Sequence, residues 1–284
     1  MTPDTVSVTL RALGFVALFQ AAGAAFFLLL FGADLTHSAT DVRRTGLLAA
    51  AGGMVFVLAH LSLDAARMAD EFPGLWNGEL QRRAWLSTNG AAQWLQALGL
   101  LCVFMGLRRS GHLALATGGA VLALIAPLLT GHTSVHAMRW LLAPLLAVHG
   151  LIIAFWFGAL VPLYQVTQRE SITLAAPVVE RFSTIAGWLV PGILLAGLGM
   201  ASVLVPDVSA LGRPYGLLLL SKVCGFGLLM LIAAFNKWRL TPWLVAGAST
   251  SLRTLRRSIA IEYALIIAVL TLTAVLTAFY SPEN

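Results

Sequence analysis

Long apolar runs alternate with short polar segments along the whole chain. A bilayer core offers no water to backbone N–H and C=O groups, so runs of about 17 to 25 apolar residues read as helices that satisfy those groups internally. Eight such runs are present, at Leu10–Phe31, Leu47–Ala66, Ala91–Leu107, Leu113–Thr130, Trp140–Tyr164, Phe182–Val205, Tyr215–Asn236 and Ile259–Phe279. They predict an all-α, polytopic membrane bundle of about eight helices, forming one domain over residues 1–284. The first run has no basic amino-terminal region and no small-residue cleavage site, so it is expected to remain as a helix rather than act as a signal peptide. The hydrophilic stretch from Arg67 to Gly90 predicts an external loop with a short interfacial segment. Trp76, Trp85, Trp94, Trp140, Trp238 and Trp243 fall near predicted helix ends, where an amphipathic ring prefers the headgroup level.

Composition agrees with the pattern. Hydrophobic residues make up 59% and charged residues 11% of the 284 positions, against about 25% charged in a soluble domain. A hydrated globular surface cannot be built from so few charges, which excludes a soluble enzyme. The net charge of +6 sits in short basic groups between apolar runs rather than in an exposed stripe, so no nucleic-acid partner is expected. Eleven of the 18 Lys and Arg residues follow odd-numbered runs, which puts those loops in the cytoplasm and both termini outside. Cys102 and Cys224 each lie alone in an apolar run, without metal-ligand spacing. With no phosphate-binding loop, Ser-His-Asp arrangement or phosphorylated-aspartate motif, the chain is expected not to be an enzyme.

The informative residues are the polar ones inside apolar runs, since each costs several kcal/mol unless paired, hydrated or liganded. His60 and Asp64 are four apart and share one face of the second helix, with Met68 continuing the line. His132 and His136 lie in the connection after the fourth run, and His149 lies near mid-membrane on the fifth. Asn89, Gln93 and Gln96 descend from the same side as hydrogen-bond partners. Neutral imidazole with an optional carboxylate or thioether favours copper or zinc over harder ions. His60, His132, His136, His149 and Asp64 are therefore candidate ligands, with Met68 and Met138 as additional ones. The competing reading keeps His132 and His136 as solvated or capping residues, and His60 and His149 as partners of nearby backbone. His37 and His112 fall in predicted cytoplasmic loops, outside this group. Lys222 and Glu262 form a second set, placed to pair or to line a hydrated route for coupling or gating; the alternative has Lys222 snorkelling and Glu262 pairing with Arg256 or Arg257.

From Gly131 onward the sequence resembles the CopD/PcoD family of bacterial copper-resistance inner-membrane proteins. The resemblance lies in Gly131-His132; in His149 with Trp156, Gly158, Leu160 and Leu163; in Arg181-Phe182-Ser183; in Arg213-Pro214-Tyr215-Gly216 with Lys222; in Asn236 with Pro242; and in Leu255-Arg256-Arg257-Ser258-Ile259 with Glu262. Ala159 and Lys237 depart from it, where the family more often has Gly and Arg. The resemblance implies a multi-pass bacterial inner-membrane protein, surrounded by lipid and served by a periplasmic CopC-type copper carrier; the termini that the loop charges put outside are then periplasmic. It implies copper homeostasis or resistance, with copper taken from the periplasm into or across the membrane; Gln93 and Trp156 are expected beside the ligands.

Two other functions fit the same residues. His60 and His149, at comparable depth on different helices, suit the axial positions of a b-type haem in an electron-transfer protein, which would make the chain a haem-dependent oxidoreductase. The histidines also suit a non-transporting subunit that senses metal or pH.

Overall fold

The computed structural model describes residues 2–109, 111–204, 214–247 and 249–279. Among these, every regular element is helical. The long helices are α1 (Pro3–Phe31), α2 (Ala39–Ala69), α4 (Thr88–Arg108), α7 (Arg139–Arg169), α8 (Ile172–Leu189), α9 (Pro191–Leu204), α10 (Pro214–Phe235) and α12 (Ser249–Phe279). Shorter elements are α3 (Gly78–Leu86), α5 (Leu113–Ile125, extended by a 3₁₀ turn to Leu129), α6 (His132–Val135) and α11 (Thr241–Val245). Seven helical segments are long and apolar enough to cross a membrane, and Leu113–Leu129 is a shorter apolar one.

Charged and polar ends extend the helices beyond the apolar runs. The first begins at Pro3, where Thr2 accepts from the Thr5 N–H and Pro supplies a first-turn residue that needs no donor. The run predicted at Phe182–Val205 begins earlier, at Ile172, and divides at Pro191, which has no N–H to continue the ladder; Val205 lies outside the described residues. The predicted interfacial segment is α3, capped by the Asn77 side chain, which accepts from the N–H groups of Glu79 and Leu80. Trp76 beside it is 88% exposed, as suits a headgroup-level ring.

The helices alternate in direction. One face, termed here the first, gathers the start of α1, the end of α2, α3, the start of α4, α6 and the end of α12. The second face gathers the α1–α2, α4–α5 and α7–α8 connections with α11.

Helix α1 packs against α2, α4, α5, α7 and α12, and its residues from Ala17 to Phe31 supply much of the core. Its crossing with α7 is backbone on backbone. A Cβ on Gly158 would stand 2.5 Å from the Gly23 Cα, and one on Gly23 would meet the Ala154 carbonyl at 2.5 Å. Lipid gives no hydrophobic drive between helices, so close approach through small residues provides the dispersion contact that holds them. The approach lets Gln20 donate to the Gly158 carbonyl at 2.9 Å. Phe155 stacks on Phe182, and Phe157 on Tyr263, joining α7 to α8 and α12.

At the second face Glu170, 6% exposed, clasps the entrance to α2. Its Oε1 accepts from the N–H groups of Thr36 (3.1 Å), His37 (2.8 Å) and Ser38 (2.8 Å) and from the Ser38 hydroxyl (2.7 Å). Burial acts to raise this carboxyl, but the donors from Ser38, His37 and Thr36 outweigh it and hold its pKa below the ordinary glutamate value.

Gly158→Ala is expected to lower unfolding stability in detergent by about 1–3 kcal/mol through overpacking. Gly150→Ala, on the same helix with nothing within 4 Å of its added Cβ, is expected to hold or gain up to about 1 kcal/mol. Glu170→Gln is expected to cost about 1–2 kcal/mol at neutral pH. Because the folded pKa is depressed, that stabilisation is present above the unfolded glutamate pKa and is lost as pH falls through the folded one. Thermal melts of wild type and Glu170→Gln should therefore converge in acid.

Candidate functional site

At the first face three helices each supply polar residues at one-turn spacing: Ser7 and Arg11 on α1; His60, Asp64 and Arg67 on α2; Asn89 and Gln93 on α4. His60 is 8% and Asp64 7% exposed. The His60 Nδ1 lies 3.4 Å from Gln93 Oε1 and its Nε2 3.0 Å from the Ser7 hydroxyl. Gln93 donates from Nε2 to Asp64 Oδ2 at 3.1 Å. An ionised Asp64 only accepts, so the Gln93 amide turns its nitrogen to Asp64 and its oxygen to His60. Nδ1 then carries the ring hydrogen, and Nε2 keeps a lone pair that accepts from Ser7.

Asp64 also accepts from Asn89 at 2.7 Å and from Arg67 at 3.2 Å, and Arg67 reaches Asp4 at 2.8 Å. Arg11, which acts electrostatically on His60, donates to the carbonyl and hydroxyl of Thr277 at 3.1 and 3.2 Å. Arg67 thus bridges two carboxylates beside the His60 imidazole, while Arg11 is held by Thr277.

Above this network opens a cleft of about 770 Å³, lined by Asn89, Thr130, Ser134, Arg139 and Trp140 among others. Asn89 belongs both to the cleft wall and to the Asp64 network. The α6 segment and its link to α7 border the cleft and carry His132, His136 and Met138. His136 is half-buried and its Nδ1 accepts from the Met138 N–H at 3.0 Å. The backbone of His132 opens α6; its side chain lies outside the described residues. Met138 is 37% and Met68 53% exposed.

His149 stands apart, against α9, donating from Nδ1 to the Ile193 carbonyl at 3.1 Å. Its charged neighbour is Lys222 of α10. His60 and His149 therefore occupy separate networks. Among the described residues no group of three or more His, Cys, Asp or Glu side chains is arranged to hold a metal ion. Cys102 and Cys224 are free thiols.

A second polar cluster lies toward the second face. Glu262, 3% exposed, accepts from the Asn236 amide at 2.7 Å, and Asn236 Oδ1 accepts from Ser258 at 2.6 Å. Lys222 is fourteen residues from Asn236 along α10, about 21 Å at helical rise, so Lys222 and Glu262 are distributed to different depths. Arg256 bonds the carbonyl and hydroxyl of Thr167. Trp156, expected beside the histidines, instead lines the cavity next to Glu262. Ser258, four residues before Glu262 on α12, shares a face with it and was legible from that spacing; Asn236, on a different helical segment, carries no local signal of its bond to Glu262.

Fold and clusters together define a multi-pass helical membrane protein with a hydrogen-bonded polar network in each half. Residues 176–276 match the family described as CopD, copper resistance protein D. That span runs from α8 into α12 and holds Lys222, Asn236, Ser258 and Glu262, while His60, Asp64, Gln93 and His149 precede it. No curated protein and no solved structure matches the chain.

Removing the shared acceptor tests how far the first-face network holds the bundle together. Asp64→Ala strands donors from Asn89, Gln93 and Arg67 and is expected to lower stability by about 3–5 kcal/mol, read by thermal unfolding in detergent.

Proposed function

We propose that the protein is a copper carrier of a bacterial inner membrane rather than an enzyme, and that its first face is periplasmic. The observation that carries this reading, beside the family match, is the Asp64–Gln93–His60 chain beneath the cleft. A carboxylate fixing an imidazole tautomer through an intermediate group leaves Nε2 basic and oriented, as metal-binding histidines require. Copper delivered by a periplasmic CopC-type carrier meets His132, His136 and Met138 at the cleft, displaces the Ser7 hydroxyl from His60 Nε2, and passes inward toward His149. Met68 continues the His60 line toward the aqueous phase. The balanced charges of Arg11, Arg67, Asp4 and Asp64 let a neutral ligand accept a cation without a prior excess of positive charge.

The test is the double variant His60→Ala/His149→Ala. Copper bound per purified chain, measured by elemental analysis, and copper uptake into vesicles are both expected to fall at least about tenfold, the effect of losing about 1.4 kcal/mol or more of binding. Unchanged copper content and uptake would overturn the assignment.

A further inference from the structure

The cavity toward the second face measures about 270 Å³ and is lined by residues of α7 to α12, with Trp156, Phe182, Asn236, Lys237, Trp238 and Glu262 on its walls. Glu262 lies on α12 five residues beyond Arg257, about 7.5 Å deeper at helical rise. Its donor is a neutral amide. Among the described residues no cation stands within ion-pair distance of it: Arg256 is turned to Thr167, and Lys237 lies along Gly187 of α8, whose missing side chain leaves the room. Lys237 is the other charged residue lining the cavity. Asn236 and Lys237 open a π-helical turn, Asn236–Leu240, directly at this wall, and such wide turns are frequent where a helix serves a site.

An ionised carboxylate without a countercharge is strongly disfavoured in hydrocarbon, and one bound proton removes that cost. We propose that Glu262 is a proton-exchange site, taking up and releasing a proton at its carboxylate oxygen through the cavity that Lys237 and Trp238 border at the second face. The Asn236 amide, itself fixed by the Ser258 hydroxyl, holds the carboxyl in place in both states. This rests on the copper reading only for what the proton is exchanged against: an outgoing proton offsets the charge of an incoming copper ion.

The site is tested first without copper. Dicyclohexylcarbodiimide enters from lipid and reacts with a protonated carboxyl. The carboxyl oxygen bonds to the central carbodiimide carbon, its proton goes to nitrogen, and acyl migration leaves a stable acylurea. With wild-type protein in vesicles, mass spectrometry is expected to find the label on Glu262, falling severalfold as pH at the second face is raised. No label on Glu262, or labelling indifferent to that pH, overturns the proposal. The second arm follows copper and an internal pH dye together. Copper movement with counter-directed proton movement, abolished in Glu262→Gln and retained in Glu262→Asp, supports it. Copper movement without proton movement overturns it. If wild-type vesicles move no copper, the copper reading falls and labelling alone decides the proton site.

Discussion

Hydrocarbon cannot hydrogen-bond, and every polar group in the bundle is placed by that fact. The backbone answers it with helices, and the side chains answer it with clusters that close upon themselves. Asp64 is the clearest case: a carboxylate within the bundle is tolerable because Asn89, Gln93 and Arg67 all donate to it. Those donors come from its own helix and from α4, so satisfying one charge also fixes how the two helices stand. Gln20 does the same between α1 and α7, reaching the Gly158 carbonyl where two glycines have brought the backbones together.

The two halves of the molecule solve this problem differently. The first-face network contains charges of both signs and opens to a broad cleft. The second-face cluster contains one carboxylate, an amide and a hydroxyl beside a small, mostly apolar chamber. The matched family span, 176–276, encloses the second and not the first. The Arg11 bond to Thr277 nevertheless ties the start of α1 to the far end of the helix that carries Glu262.

Much of the architecture was legible in the sequence because hydropathy acts over twenty residues at a time. Helix positions, the interfacial α3 and the one-face pairing of His60 with Asp64 all follow from local periodicity. What was not legible depends on partners far apart in sequence. Nothing near Glu170 announces that Thr36, His37 and Ser38 will bond to it. Trp156 shares a helix with His149 and nearly the same face of it, yet two turns, about 10.5 Å of helical rise, carry it past the histidine to a different cavity. The breadth of the helices was also underestimated, since an apolar run ends where charge begins but Arg67, Arg169 and Arg256 continue the helix into the headgroups.

The segment Leu113–Leu129 is shorter than its neighbours, thirteen α-helical residues followed by four in a 3₁₀ turn. Its length is about 27 Å, against about 30 Å for a typical hydrocarbon core. Such mismatch draws the leaflets toward each other. The segment delivers the chain straight to Thr130 and Gly131 in the cleft wall, so any thinning that its length imposes falls beside the opening. Thinner hydrocarbon at that place would lower the dielectric barrier that an ion meets on its way toward the buried imidazole.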